Sequence, residues 1–204
     1  MTLGEIKAEA LRLMGMDVEV NAENVRDFEY DENYGILVTG MPGALNRCFA
    51  DIERKGILPL QRKKLEPTAG RGRCYRFSIK DLAGDPVRLI AETDHAYDGD
   101  HPFQREGADT LLILDGDADA SYTLLYRPRI KRVSATDDDS KDLNLPEAIA
   151  AAIPYYLKGD LYRHDEPGEA SEARNWYEAA LEQYAATVHE GVQGTVQTVY
   201  GGDL

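Results

Sequence analysis

The chain has 204 residues, 43% hydrophobic and 29% charged, with 23 basic against 37 acidic side chains and a formal net charge of −14. That length and composition suit one ordinary domain, with or without a helical appendage, and exclude a disordered chain; so acidic a surface repels nucleic acid overall and argues against a general DNA binder. No apolar stretch approaches the ~18 residues of a membrane span, the opening MTLGEIKAEALRLMG lacks the regions of a signal peptide, and two cysteines, Cys48 and Cys74, are expected to be free thiols in a reducing cytoplasm.

Thr2 and Glu5 stand at capping-box spacing, and Leu3, Ile6, Leu11 and Met14 recur at helical spacing until Gly15, which predicts a helix over 3–14. The acidic stretch 17–33 has no period and reads as loop. A second helix is predicted over 34–55 from Leu37, Met41, Leu45, Cys48, Phe49 and Ile52; Pro42 should kink or restart it, and Gly56 ends it. Strands follow over 74–79, 87–91, 110–114 and 122–126, separated by Gly and Asp turns, which predicts a small antiparallel sheet or sandwich. Residues 137–142, Asp-Asp-Asp-Ser-Lys-Asp, read as a solvated linker. A third helix begins with Asn144 as cap and Pro146 in its first turn and carries Ile149, Ile153, Tyr156, Leu157 and Leu161, with a bend at Pro154. A break at 164–168 precedes a last helix over 169–188, and 190–204 reads as a flexible tail.

The fold class expected is therefore α+β. N- and C-terminal helical pairs (1–66 and 136–189) pack together, with a central antiparallel β region (67–135) inserted between them and a tail over 190–204.

Motifs for catalysis are missing. The chain has no G-x-S-x-G, H-E-x-x-H or phosphate-loop pattern, and Gly70-Arg71-Gly72-Arg73 leads into a strand where a phosphate loop needs a helix. Asp115, Asp117 and Asp119 mimic the start of a calcium loop, but Ala120 and Tyr126 occupy its glycine and glutamate positions. Asp94, His95, Asp98, Asp100 and His101 are ligand types without a strict spacing. No metal, no cofactor and no enzymatic activity are expected. Both cysteines are expected to be buried small hydrophobes.

Two positive features remain. Arg62, Lys63, Lys64, Arg71, Arg73, Arg127, Arg129, Lys131 and Arg132 flank the sheet and are a candidate basic contact band for an acidic partner or DNA phosphates. Tyr155, Tyr156, Tyr162, Trp176, Tyr177 and Tyr184 crowd the C-terminal helices, more rings than a helical core needs, and are candidate interface residues.

The segment Leu145-Pro146-Glu147-Ala148-Ile149 … Ile153-Pro154-Tyr155-Tyr156-Leu157-Lys158-Gly159-Asp160-Leu161-Tyr162, then Ala173-Arg174-Asn175-Trp176-Tyr177-Glu178 … Leu181, resembles the C-terminal helical hairpin of tailed-bacteriophage head–tail connector (adaptor) proteins. The Leu3–Leu13 helix and Met41-Pro42-Gly43-Ala44-Leu45-Asn46 resemble the openings of phage head and tail gene products. The resemblance covers the terminal thirds; a long β region departs from it. It implies a virion neck protein, assembled in the host cytoplasm into a self-associated ring, commonly of twelve subunits. That ring would dock on the portal protein, meet a tail or head-closure protein, and let DNA pass. A carbohydrate- or peptide-binding module using the central sheet is the alternative.

Overall fold

The computed structural model describes residues 1–16, 19–71, 73–92, 99–116 and 120–193, with the side chains of 69–71, 99 and 189–193 left aside. The fold is α+β and divides into two compact units, Met1–Ile57 with Ile130–Leu204, and Leu58–Arg129. The β region begins earlier and ends earlier than the 67–135 expected, because a strand over Gln61–Leu65 already belongs to it.

The first unit holds α1 (Leu3–Leu13), a 3₁₀ turn (Val25–Tyr30), α2 (Gly35–Lys55), α3 (Glu147–Leu161) and α4 (Pro167–Gln193). The capping box of α1 is formed: Glu5 N donates to Thr2 Oγ1 at 3.2 Å, and Thr2 N donates to Glu5 Oε2 at 2.7 Å. The stretch expected to be a solvated linker caps the same helix. Leu3 N donates to Lys141 O, Gly4 N donates to Asp139 O, and the buried Lys7 ammonium meets Asp139 Oδ1 at 2.6 Å. Amides at a helix start need acceptors, and a buried lysine needs an anion; Asp139 answers both.

Val38, Met41, Ala44, Leu45, Cys48, Phe49 and Ile52 form the buried face of α2, which runs unbroken through Pro42 and ends at Gly56 with φ +66°. The acidic stretch before it contains the 3₁₀ turn. Asn144 is not the cap of α3: it sits at φ +52° beside Asp142, and extended Pro146 precedes the helix. An asparagine tolerates the left-handed region better than most residues, which explains its place there. α3 is central, touching α1, α2 and α4, with Ile149, Ile153, Tyr156 and Leu157 buried. α4 starts two residues before the position predicted and continues through 190–193; residues 194–204 of the expected tail lie outside those described.

The second unit is a sandwich of two antiparallel four-stranded sheets. One has the order β1 (Gln61–Leu65), β8 (Ser121–Pro128), β4 (Gly84–Glu92), β5 (Gly99–Asp100). The other has β2 (Pro67–Arg71), β3 (Cys74–Ser78), β7 (Thr110–Ile113), β6 (Gln104–Glu106). Leu65, Leu89, Tyr122 and Leu124 from the first sheet pack with Phe77, Leu111 and Ile113 from the second. Phe77 and Tyr122 rings lie 5.2 Å apart. The alternation in β3, β7 and β8 is what a sheet with one covered face requires.

Candidate interaction surface

The six aromatic candidates divide by helix face. Tyr156 and Tyr177 are core residues, contrary to expectation: their rings meet edge-on at 5.0 Å. Tyr177 Oη donates to Asp51 Oδ2 at 3.0 Å, and Cys48 Sγ lies 3.9 Å from the same hydroxyl. Burial pushes both the Cys48 thiol and the Tyr177 hydroxyl well above their usual ranges, so each stays neutral. The Arg174 guanidinium covers Tyr156, 4.0 Å from its centroid, and Arg47 holds Asp160 at 2.5 Å. Tyr162 is half-buried and donates to Met14 O at 2.7 Å, tying α3 to the end of α1. Tyr184 is half-buried on α4.

Tyr155 and Trp176 face outward. Trp176 is 60% exposed. Tyr155 forms a ridge between two depressions. On one side lies an open groove of about 900 Å³ whose floor includes Ala8, Ala151 and Pro154 and whose rim carries Glu5, Glu9 and Glu23. On the other, about 160 Å³ separates Tyr155 from Trp176, beside Glu169 and Glu172. The cations nearby are already engaged. Arg12 bonds Glu9 at 2.8 Å and Val20 O at 2.5 Å, while Lys158 bonds Leu13 O at 2.8 Å and Glu169 at 2.7 Å. Glu23 and Glu172 enter no ion pair among the described residues. An apolar floor with an acidic rim suits a cationic, partly apolar partner.

The nine basic candidates do not make up a single group. Cross-strand partners in an antiparallel pair share a face, so the registers Arg62↔Leu125 and Lys64↔Thr123 place Arg62 and Lys64 on the same face of the first sheet as Arg127. Lys63, opposite Leu124, is on the other face. Arg127 Nε is buried without a hydrogen-bond partner. Arg129 bonds Asp85 at 2.9 Å, and Arg73, on the second sheet, bonds Asp115 at 3.0 Å. The Arg71 side chain lies outside those described. Lys131 and Arg132 belong to the helical unit, where Arg132 bonds Glu53 at 2.7 Å. Arg62, Lys63 and Lys64 have no ion-pair partner among the described residues. They sit on an edge strand behind Leu60, which is 43% exposed.

Of the carboxylate clusters, Asp94, His95, Asp98, Asp117 and Asp119 lie outside the described residues. Asp115 is held by Arg73, Asp100 pairs with Arg88, and His101 Nε2 is 2.9 Å from Asp115 O. Cys48 is buried as expected; Cys74 is half-buried, its Sγ 3.6 Å from Leu114 O.

Sequence reasoning missed two exposed side chains, Tyr30 (90%) at the end of the 3₁₀ turn and Ile36 (83%) at the start of α2. It also missed how charge is partitioned. Leu58–Arg129 carries 11 basic and 12 acidic residues, leaving 12 basic and 25 acidic for the helical unit out of the 23 and 37 in the chain. No protein-family model matches this sequence, and no curated protein is similar to it.

Proposed function

We propose that this chain is a structural subunit of a tailed-bacteriophage neck, a head–tail adaptor. Copies of it assemble into a ring beneath the portal, with a tail or head-closure protein on the far side. Its work is assembly rather than turnover. The observation that carries the reading is Trp176, 60% exposed on an otherwise well-packed helical hairpin, with the half-buried Tyr155 beside it. A large ring left in water on rigid helices is an anchor for a neighbouring surface.

Residues of the segment that carries the resemblance hold the hairpin together. Gly159 lets α3 approach α4 closely: a Cβ there would sit 2.8 Å from Arg174 Cγ and 3.0 Å from Ala170 O. Asp160 anchors Arg47, and Tyr162 ties the hairpin to α1. The excess of negative charge on the helical unit lets DNA pass without adhering.

The test is electron microscopy of the purified chain alone and mixed with the portal protein of the same phage, together with labelling of the intact particle. A ring stacked on the portal and a label at the neck are expected. Failure to bind portal, with no label at the neck, would refute the proposal.

A further inference from the structure

We infer that the groove beside Tyr155, together with the smaller depression between Tyr155 and Trp176, receives the exposed β1 edge, Leu60–Lys64, of a neighbouring copy. This rests on the ring reading above and specifies its contact. A closed ring built from one chain uses heterologous contacts, so each copy must carry two different, mutually complementary surfaces.

The helical unit supplies an anionic surface with an apolar floor, its nearby cations already committed internally. The β unit supplies the complement. Three consecutive cations, Arg62 and Lys64 on one face and Lys63 on the other, stand on an edge strand with no ion-pair partner among the described residues, and an exposed Leu60 precedes them. Leucine on the Ala8–Pro154 floor, aliphatic stems and cations over the Trp176 ring, and charged heads against Glu23 and Glu172 would satisfy both surfaces at once. The partner is a second copy because charge complementarity exists within this one sequence: the helical unit holds the surplus acids, and β1 carries three cations with no ion-pair partner among the described residues.

The contact predicts an unusual salt response. Two bodies of charge −14 repel, so screening alone would strengthen their association. An acid-to-base contact between them is weakened by salt instead.

The decisive experiment couples carboxylates to amines with a zero-length carbodiimide in a concentrated mixture of ¹⁵N-labelled and unlabelled chain, free and on portal rings, and maps labelled-to-unlabelled peptides. Links from Lys63 or Lys64 to Glu23 or Glu172 are expected. Reversing two charges, as in Arg62→Glu with Lys64→Glu, should weaken self-association by about tenfold or more. Glu23→Lys with Glu172→Lys should do the same, and mixing the two variants should restore it. Arg62→Glu alone should weaken it in part, whereas Lys80→Glu, a single reversal at an exposed site on the same unit, should have little effect. Intermolecular links that avoid β1 and the groove, or reversal variants that associate normally, would overturn this contact and leave the ring standing. A chain that neither self-associates nor binds portal would overturn the ring as well.

Discussion

Replacing Gly159 and Gly43, two helix-interior glycines, with alanine should shift stability in opposite directions. In a free helix each exchange gains about 1 kcal/mol, because alanine loses less backbone entropy on folding. At Gly43 the nearest atom to a new Cβ is Arg47 Nη1 at 3.5 Å, an ordinary contact, so Gly43→Ala should stabilise by about 0.5–1 kcal/mol. At Gly159 the methyl would meet Arg174 Cγ at 2.8 Å and the Ala170 carbonyl oxygen at 3.0 Å. Arg174 cannot swing away freely, since its guanidinium covers the Tyr156 ring. Overpacking of this kind costs about 1–3 kcal/mol, which outweighs the gain, so Gly159→Ala should destabilise by about 1 kcal/mol. Thermal unfolding followed by helical circular dichroism reads the sign directly, at about 2–4 °C per kcal/mol for a chain of this size. A Gly159→Ala protein as stable as the unmodified chain would refute the close α3–α4 approach.

Tyr177→Phe removes the donor to Asp51 and should cost about 1.5–3 kcal/mol, the range for hydrogen bonds to charged groups, seen as a lower urea midpoint. Thiol titration with a disulfide reagent at mildly alkaline pH should label Cys74 quickly and Cys48 only on unfolding, because burial holds the Cys48 thiol protonated. Asp137, hydrogen-bonded by Lys141, and Asp138, accepting from the Ser140 amide, both sit below the ordinary carboxylate value of 3.8. A depressed folded pKa gives stability that is present above the unfolded value and lost as pH falls through the folded one. The urea midpoint should therefore decline below about pH 4, and Asp137→Asn with Asp138→Asn should flatten that decline.

Much of the fold was legible because local chemistry and tertiary structure agree. The Thr2–Glu5 box, the α2 stripe ending in Gly56, and the alternation of β3, β7 and β8 each state their element within a few residues. The missed elements lack such a signal. β1 reads Gln-Arg-Lys-Lys-Leu, with one apolar residue, and is a strand because β8 offers it a ladder. β6 is exposed throughout and exists through β7. Asp139 looks like one more acid in a solvated run until Lys7, 132 positions away, is brought against it. Local propensity cannot anticipate a partner at that distance.

The interaction surface shows the same limit more sharply. Tyr155-Tyr156 and Trp176-Tyr177 are adjacent pairs on helices, and successive helical residues point about 100° apart. The two rings of a pair therefore cannot share one narrow face, so composition could count the aromatics and not assign their faces. α3 and α4 resolve the choice: Tyr156 and Tyr177 meet each other inside, and Tyr155 and Trp176 are left to border a shared depression outside. Net charge hides structure in the same way. A value of −14 describes a uniformly repulsive body, yet the surplus is concentrated in the helical unit while Arg62, Lys63 and Lys64 on β1 have no ion-pair partner among the described residues. The proposed contact between copies depends on that segregation of charge, and segregation is a property of the fold.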